Sequence, residues 1–396
     1  MSAGRLLCGA PALAERWQAC WQQQWASTRV VVLLAATETA AVPGISAAGA
    51  TPQARRATAA ADAELLLLGP EGRRPHALPP LPAGVSPALI SHVVLRALSL
   101  SPLVVDLGCP LTPAIPHLRL PSPAGGGAAR CLSSGGAMAV QRVEALIAQG
   151  RRWGRTLARQ SPQAPLVLAE CVPGGTSTAL AVLCGLGVEA GGLVSGSLRQ
   201  PAHALKQALV AQGLRSARQR LGEEGLDTPQ AVVSALGDPM QPLAAGLLLE
   251  AALGGVPVML AGGSQMAAVL ALALALAVPE QRPALIQATA LATTRWVAEE
   301  AGSDLARLLR RLGRHWQVEP LAFRCALTFT DSCHPALASY ERGYVKEGVG
   351  AGGLALLWEW SGRDPGALAR HCSVACDRLL SDPRAGFGER LRSDDG

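Results

Sequence analysis

The sequence predicts an α/β protein of three layers, with helices on both faces of a mostly parallel, doubly wound sheet. Short apolar runs of strand length alternate with helical segments, the order that a parallel sheet with crossover helices requires. The runs end in glycine or polar turns, as at Pro173-Gly174-Gly175, Gly237-Asp238-Pro239 and Thr330-Asp331-Ser332. Of 396 residues, 49% are apolar and 16% charged, which fills a large core and excludes a disordered chain.

The first helix carries Leu13, Trp17, Trp21 and Trp25 at four-residue intervals. Such an aromatic stripe must dock on its own domain or on a second subunit. Residues 29–36 (RVVVLLAA) form the first strand. A loop of small residues follows at 43–52, longer than a simple connection needs, and loops of that kind often line sites. Strands are expected at 63–68 and 102–107, separated by a proline-rich connector at 79–87 and an apolar helix at 88–98. Residues 109–129 hold five prolines and Gly125-Gly126-Gly127, marking an irregular or mobile loop, a lid or a boundary. Val140, Val143, Leu146, Ile147 and Leu157 trace one face of the next helix. Residues 200–221 read as a basic amphipathic helix. Further strands are expected at 166–169, 232–236, 257–260, 284–290 and 325–329, and Asp364-Pro365 starts a last helix.

Charge and cysteine usage narrow the function classes. The formal charge of +6 is carried almost wholly by arginine; the only lysines are Lys206 and Lys346. Arg151, Arg152, Arg155 and Arg159 fall at helical spacings, as do Arg307, Arg310, Arg311 and Arg314. These are stripes that face solvent or a subunit. No aromatic interleaving or nucleic-acid module accompanies them, so nucleic acid is not an expected partner. The ten cysteines are scattered, and Cys372 and Cys376 beside His371 are too few ligands for a zinc site. Reduced thiols fit a cytoplasmic protein. The N-terminus lacks the apolar core and cleavage site of a signal peptide. Residues 256–278 are apolar enough to suggest a membrane span. Gly262-Gly263-Ser264-Gln265 splits them into a short strand and a helix, each well under the roughly 20 residues a bilayer needs.

Residues 165–187 (PLVLAECVPGGTSTALAVLCGLG) are the stretch that points to chemistry. A strand ends in Glu170, breaks at Pro173-Gly174-Gly175, and gives way to a helix opened by Thr176-Ser177-Thr178. Glycines admit a ligand to the backbone, first-turn amides face it, and the helix dipole favours negative charge, so the segment reads as an anion cradle. The structural alternative is a helix cap with a tight turn. A triphosphate loop is excluded, because it needs Gly-Lys-Ser/Thr. A monophosphate held by backbone amides and hydroxyls suits the segment better. Near the end, Glu347 stands among glycines in Gly343-Tyr344-Val345-Lys346-Glu347-Gly348-Val349-Gly350-Ala351. Burial there would raise its pKa and make it a general base near neutrality. The alternative is a turn whose Glu347 points to solvent or pairs with Lys346.

These segments resemble, in kind and order, the nicotinate-nucleotide–dimethylbenzimidazole phosphoribosyltransferase family of cobalamin biosynthesis. The 43–52 loop and residues 330–353 (TDSCHPALASYERGYVKEGVGAGG) are similar to its divergent archaeal and cyanobacterial branch. The resemblance runs from about residue 30 to the last helix. It implies that a base displaces nicotinate from nicotinate mononucleotide with inversion at the anomeric carbon, with no cofactor and no metal. It assigns Glu347 as the general base. The nucleotide phosphate falls to Gly174, Gly175, Thr176, Ser177 and Thr178, with Glu170, Gly262 and Gly263 as further nucleotide contacts. Ser46, Gly348 and Gly350 are the base-pocket candidates. Two motifs depart from the better-known branch: Pro173-Gly174-Gly175-Thr176-Ser177-Thr178 replaces Gly-x-Gly-Asn-Thr-Thr, and Ala261-Gly262-Gly263 replaces an Asp-Gly turn. The acceptor is therefore a benzimidazole- or purine-type base. The family fold adds a small helical domain made from the two chain ends and is usually a homodimer. The expected division is 1–28 for the N-terminal part of that small domain, 29–335 for the main nucleotide- and base-binding domain, and 336–396 for the catalytic glycine-rich segment and C-terminal helices. A catalytically silent relative that binds a nucleotide as sensor or scaffold is the alternative function, and a different phosphate-binding α/β enzyme a third.

Overall fold

The computed structural model describes residues 4–79, 81, 83–120, 126–332 and 334–381. The chain opens with strand β1 (Arg5–Cys8), helix α1 (Pro11–Gln24) and strand β2 (Arg29–Leu34). Helices α2 (Pro52–Leu68) and α3 (Ala88–Leu98) lead to strands β3 (Pro102–Asp106) and β4 (Leu118–Arg119). Next come α4 (Val140–Gln160), β5 (Leu166–Cys171), α5 (Gly175–Gly185) and α6 (His203–Leu221). Then follow α7 (Pro229–Leu236), α8 (Met240–Leu253), β6 (Val258–Ala261), α9 (Ser264–Leu276), α10 (Arg282–Gln287) and β7 (Thr289–Thr293). The rest is α11 (Arg295–Ala298), α12 (Leu305–Trp316), β8 (Leu321–Arg324), α13 (Pro335–Glu341), α14 (Ala351–Trp360) and α15 (Pro365–Ser381).

The strands form one sheet in the order β1-β8-β7-β6-β5-β2-β3-β4, parallel except for β1, which runs antiparallel at the edge beside β8. Both faces are covered. On β2, Val31 and Leu33 join the core beneath α4, α5, α8 and α9, while Val30, Val32 and Leu34 join the core beneath α2, α3, α14 and α15. Burial on both faces is why the strands read as continuous apolar runs rather than alternating ones.

The aromatic stripe docks on its own chain. Trp17 and Trp21 stack at 6.0 Å, and Trp21 meets Trp360 of α14 at 6.1 Å, so the two chain ends are joined. Trp17 Nε1 also donates to the Gln287 carbonyl at 2.9 Å. Trp21 is fully buried. We therefore expect Trp21→Ala to cost about 3–5 kcal/mol in urea unfolding; a loss below about 1 kcal/mol would show that the stripe is dispensable.

Several expected strands are corrected. Residues 63–68 belong to α2, whose start is set by Thr51 accepting from the Ala54 amide, with Pro52 in the first turn. Residues 232–236 belong to α7, opened in the same way by Thr228 and Pro229. Both runs are the apolar ends of capped helices, and a short apolar run does not distinguish helix from strand. Residues 284–287 lie in α10 and β7 begins at Thr289; β8 precedes Cys325 instead of starting there. The edge pieces β1 and β4 went unrecognised because neither shows a buried apolar run. Of the 109–129 loop, residues 121–125, including Gly125, lie outside the described residues; Arg142 ties Gly127 to Leu107 by donating to both carbonyls. Among the described residues no helix is long and apolar enough to cross a membrane, and α9 covers the segment that suggested one. Arg151 and Arg155 lie beside Glu250 of α8 at 3.7 and 3.2 Å.

The order of strands fixes where a ligand can sit. From β2 the chain moves outward to β3 and β4, and from β5 it moves the other way through β6, β7 and β8. A crevice opens at the carboxyl ends of the strands where the order reverses, between β2 and β5.

Candidate active site

A cleft with about 1010 Å³ of empty space, its mouth included, lies over the carboxyl ends of β5 and β6. It is lined from the 43–52 loop, α2, the connector before α3, the turn into α5, residues 195–197, the turn into α9, α11 and the segment before α14. The parallel register brings these pieces together, with Val32, Ala169 and Ala261 side by side across the sheet.

At the α5 end, Gly174 caps the helix at φ +79°, and a Cβ there would sit 2.9 Å from the Ala40 amide nitrogen. The Gly175 and Ser177 amides are used in turn bonds to Val172 and Gly174. Thr176 faces the cleft. Lys206, reaching from α6, donates to Thr176 Oγ1 at 2.9 Å and to the Ser195 carbonyl at 2.6 Å. Lys206 is fully buried and lies behind the cleft wall, bonded to two of the residues that line it. Lys346 lines it, donates to the Leu198 carbonyl at 2.5 Å and pairs with Glu300 at 2.8 Å. Burial pulls the Lys206 ammonium down to about 8, with the Glu300 charge opposing. The cradle thus has a lysine behind Thr176, beyond the amides and hydroxyls expected. Ser177 and Thr178 are fully buried and do not line the cleft; Thr178 Oγ1 donates to Asp238 at 2.5 Å, holding α5 to the turn before α8.

Glu347 points inward and does not pair with Lys346. Its Oε1 accepts from the amides of Gly348 (3.2 Å) and Gly352 (3.0 Å), and its Oε2 from Thr293 Oγ1 (3.1 Å) and the Thr294 amide (2.9 Å). Glycine is needed at 352, since a Cβ would fall 2.5 Å from Glu347 Oε2 and 2.2 Å from the Thr294 nitrogen. The segment is wound tightly: Val345, Lys346 and Val349 take φ of +66°, +60° and +52°. For β-branched residues such backbone is costly, and strain of this kind collects where geometry serves function. Gly348 lines the cleft; Gly350 does not, and instead starts α14 against Ala169 of β5.

Glu170, at the end of β5, is another carboxylate of the cleft and is buried. Its Oε2 accepts from the Val172 amide at 3.0 Å, and Gln265 donates to it from the start of α9. Gly262 packs beneath Glu170 outside the lining, while Gly263 is part of it. On the opposite wall, Ser46 and Ser197 share a hydrogen bond at 3.1 Å, and Ser197 accepts from the Ala47 amide at 2.8 Å, closing the 43–52 loop over the cleft. Arg55 holds that loop from below by donating to the carbonyls of Ala40, Ser46 and Gly49.

Comparison with known proteins shows the family and the fold. Residues 91–290 match a family model described as phosphoribosyltransferase. A UPF0284 protein of Prochlorococcus marinus (strain MIT 9313) is 51% identical over 375 residues, covering 93% of this chain and 91% of the relative. The chain belongs to the nicotinate-nucleotide–dimethylbenzimidazole phosphoribosyltransferase family. A UPF0284 protein of Nostoc sp. (strain PCC 7120 / SAG 25.82 / UTEX 2576) is 44% identical over 335 residues, covering 82% of this chain and 86% of the relative. The solved structure of CobT from Thermus thermophilus shares the fold, with a TM-score of 0.54 at 18% identity over 92% of both chains.

In this phosphoribosyltransferase-family chain Glu170 and Glu347 are differently placed electrically. Burial pushes Glu170 up to about 8, and the nearby charge of Glu347 pushes the same way. Burial also raises Glu347, against the pull of its four donors. Near neutrality Glu170 therefore carries a proton. Between an unfolded value near 4.5 and about 8, folded protein holds that proton and unfolded protein does not. Stability from this group is full below that window and is lost as pH rises through it. Glu170→Gln removes the loss. The Tm difference between variant and wild type should become more positive from pH 5 to pH 8.5, and a pH-independent difference would contradict the assignment.

Sequence reasoning missed Lys206, Gln265 and Asp62. The lysines carried one usable signal, their rarity in an arginine-rich chain. Gln265 stands in the turn motif but is not distinctive, and Asp62 falls just before the 63–68 run expected as a strand, in a stretch given no element.

Proposed function

We propose that the protein transfers the phosphoribosyl group of nicotinate mononucleotide to 5,6-dimethylbenzimidazole or a related benzimidazole- or purine-type base. The products are an α-ribazole phosphate and nicotinate, the chemistry of cobamide lower-ligand synthesis. The observation that carries the proposal is that Glu347, held by four donors, faces the same cleft as the Gly174-Gly175-Thr176 turn, with Lys206 bonded behind Thr176.

Gly174 and Gly175 let the nucleotide phosphate approach, and Thr176 holds it, with the Lys206 ammonium behind that hydroxyl. The Gly263 turn, with Glu170 and Gln265 behind it, faces the ribose and nicotinate. Ser46, Gly348 and the apolar wall near Pro87 receive the incoming base. One imidazole nitrogen of that base attacks C1′ from the face opposite nicotinate. The C1′–N bond to nicotinate breaks, and its electron pair leaves with the nicotinate nitrogen. Glu347 accepts the proton released from the other imidazole nitrogen. In its ionised form, the form that can take this proton, the same carboxylate also stabilises the positive charge that grows at C1′. The homodimer and the cytoplasmic setting belong to the same proposal.

The test is incubation with nicotinate mononucleotide and a panel of bases, with nicotinate and nucleotide products separated by chromatography. Base-dependent nicotinate release supports the proposal. Tight nucleotide binding without release from any base would favour a silent nucleotide-binding relative, and failure to bind the nucleotide would favour another phosphate-binding enzyme.

A further inference from the structure

Asp62 is buried in the wall of the cleft and takes no part in the chemistry above. It projects from α2 at 5% exposure, among Thr58, Leu78, Leu81, Ser86 and Pro87. Its Oδ1 accepts from Ser86 Oγ at 2.6 Å. Its Oδ2 has only the thiol of Cys171 at 3.5 Å, a weak donor. Among the described residues no cation lies within ion-pair distance of it, and Arg55 on the same helix is committed to loop carbonyls. A carboxylate so placed costs stability, and the surrounding wall is otherwise largely apolar. Its place is also defined relative to the proposed base. Gly348, next to Glu347, lies against Pro87, where a Cβ would meet Pro87 Cγ at 3.4 Å, and Pro87 follows the Ser86 that orients Asp62.

We propose that Asp62 is a specificity-determining residue for the acceptor: its Oδ2, met only by the weak Cys171 thiol donor, receives a hydrogen bond from an exocyclic amine or hydroxyl on the base. This rests on the phosphoribosyltransferase reading and names the substrate class within it. A buried acceptor left unpaired by the wrong ligand penalises that ligand more than a lost apolar contact would. The favoured acceptors are therefore fused bicyclic bases with a donor on the ring edge facing Ser86, and 5,6-dimethylbenzimidazole, which has none there, is a poorer one.

The test compares 5-hydroxybenzimidazole with 5-methylbenzimidazole, which are nearly the same size and differ in one donor. With nicotinate mononucleotide saturating, the wild type should use the hydroxy base with kcat/KM about 10–100-fold higher. Asp62→Asn turns the Oδ2 site toward an N–H donor, and the preference should collapse to within about threefold. Equal use of the two bases by the wild type overturns the proposal, and needs no variant to fold. So does a preference that survives in a folded Asp62→Asn protein. If neither base releases nicotinate, the phosphoribosyltransferase reading fails. Calorimetric affinities of the two bases for wild type and variant then decide Asp62 by the same ratios.

Discussion

Replacing Glu347 by glutamine is expected to lower single-turnover nicotinate release about 10²–10⁴-fold, the usual contribution of a positioned general base. Nucleotide affinity should change little, since the anion cradle is built by other elements. Charge is the decisive difference, but the four donors add a second one. They suit a carboxylate, and the glutamine amide would turn an N–H₂ group toward either the Gly348 and Gly352 amides or the Thr293 and Thr294 donors. A lower rate alone would therefore not separate lost chemistry from a loosened segment. The pH profile separates them. A base must be deprotonated, and burial holds Glu347 above its ordinary value of 4.5. The wild-type rate should fall as pH drops through that raised value, and the residual rate of the variant should lack the limb. The measurement is nicotinate release by both proteins from about pH 5 to 9. Near-wild-type turnover in the variant, or an identical acid limb in both, would remove Glu347 from the role of base.

The second large effect is expected at Gly175. A Cβ there would fall 1.8 Å from Gln265 Oε1 and 3.0 Å from Val172 Cβ. The first clash is with the far end of a flexible side chain, so Gly175→Val can fold with Gln265 swung aside. The valine methyls then stand at the cradle where the phosphate must approach the backbone, and Gln265 no longer supports Glu170. We expect nicotinate mononucleotide to bind about 10–100-fold more weakly, the range for losing a charge-assisted hydrogen bond. Base affinity should move far less. Calorimetry with each ligand, alongside circular dichroism of the variant, checks this; unchanged nucleotide affinity in a folded protein would remove the cradle assignment.

Sequence and structure divide this protein along a physical line. Periodicity and turn chemistry act over a few residues, so they alone determined the parallel α/β class, the Gly174-Gly175-Thr176 turn and the Glu347 segment among its glycines. They failed where one local pattern serves two structures. The run at 63–68 is apolar enough for a strand, and its Thr51-Pro52 cap lies a dozen residues upstream. They also failed for hydroxyls, because Ser177 and Thr178 look as available as Thr176 until the helix phase buries them. The orientation of Glu347 was open in the sequence between solvent, Lys346 and the interior. Only the close passage of β7 and α14 decided it, by supplying four donors from residues up to 54 positions away. The same holds for Lys206, Gln265 and Asp62. Helix packing over the sheet places Asp62 and Gln265 in the cleft lining and Lys206 behind it, and contact between distant segments leaves no periodic trace along the chain.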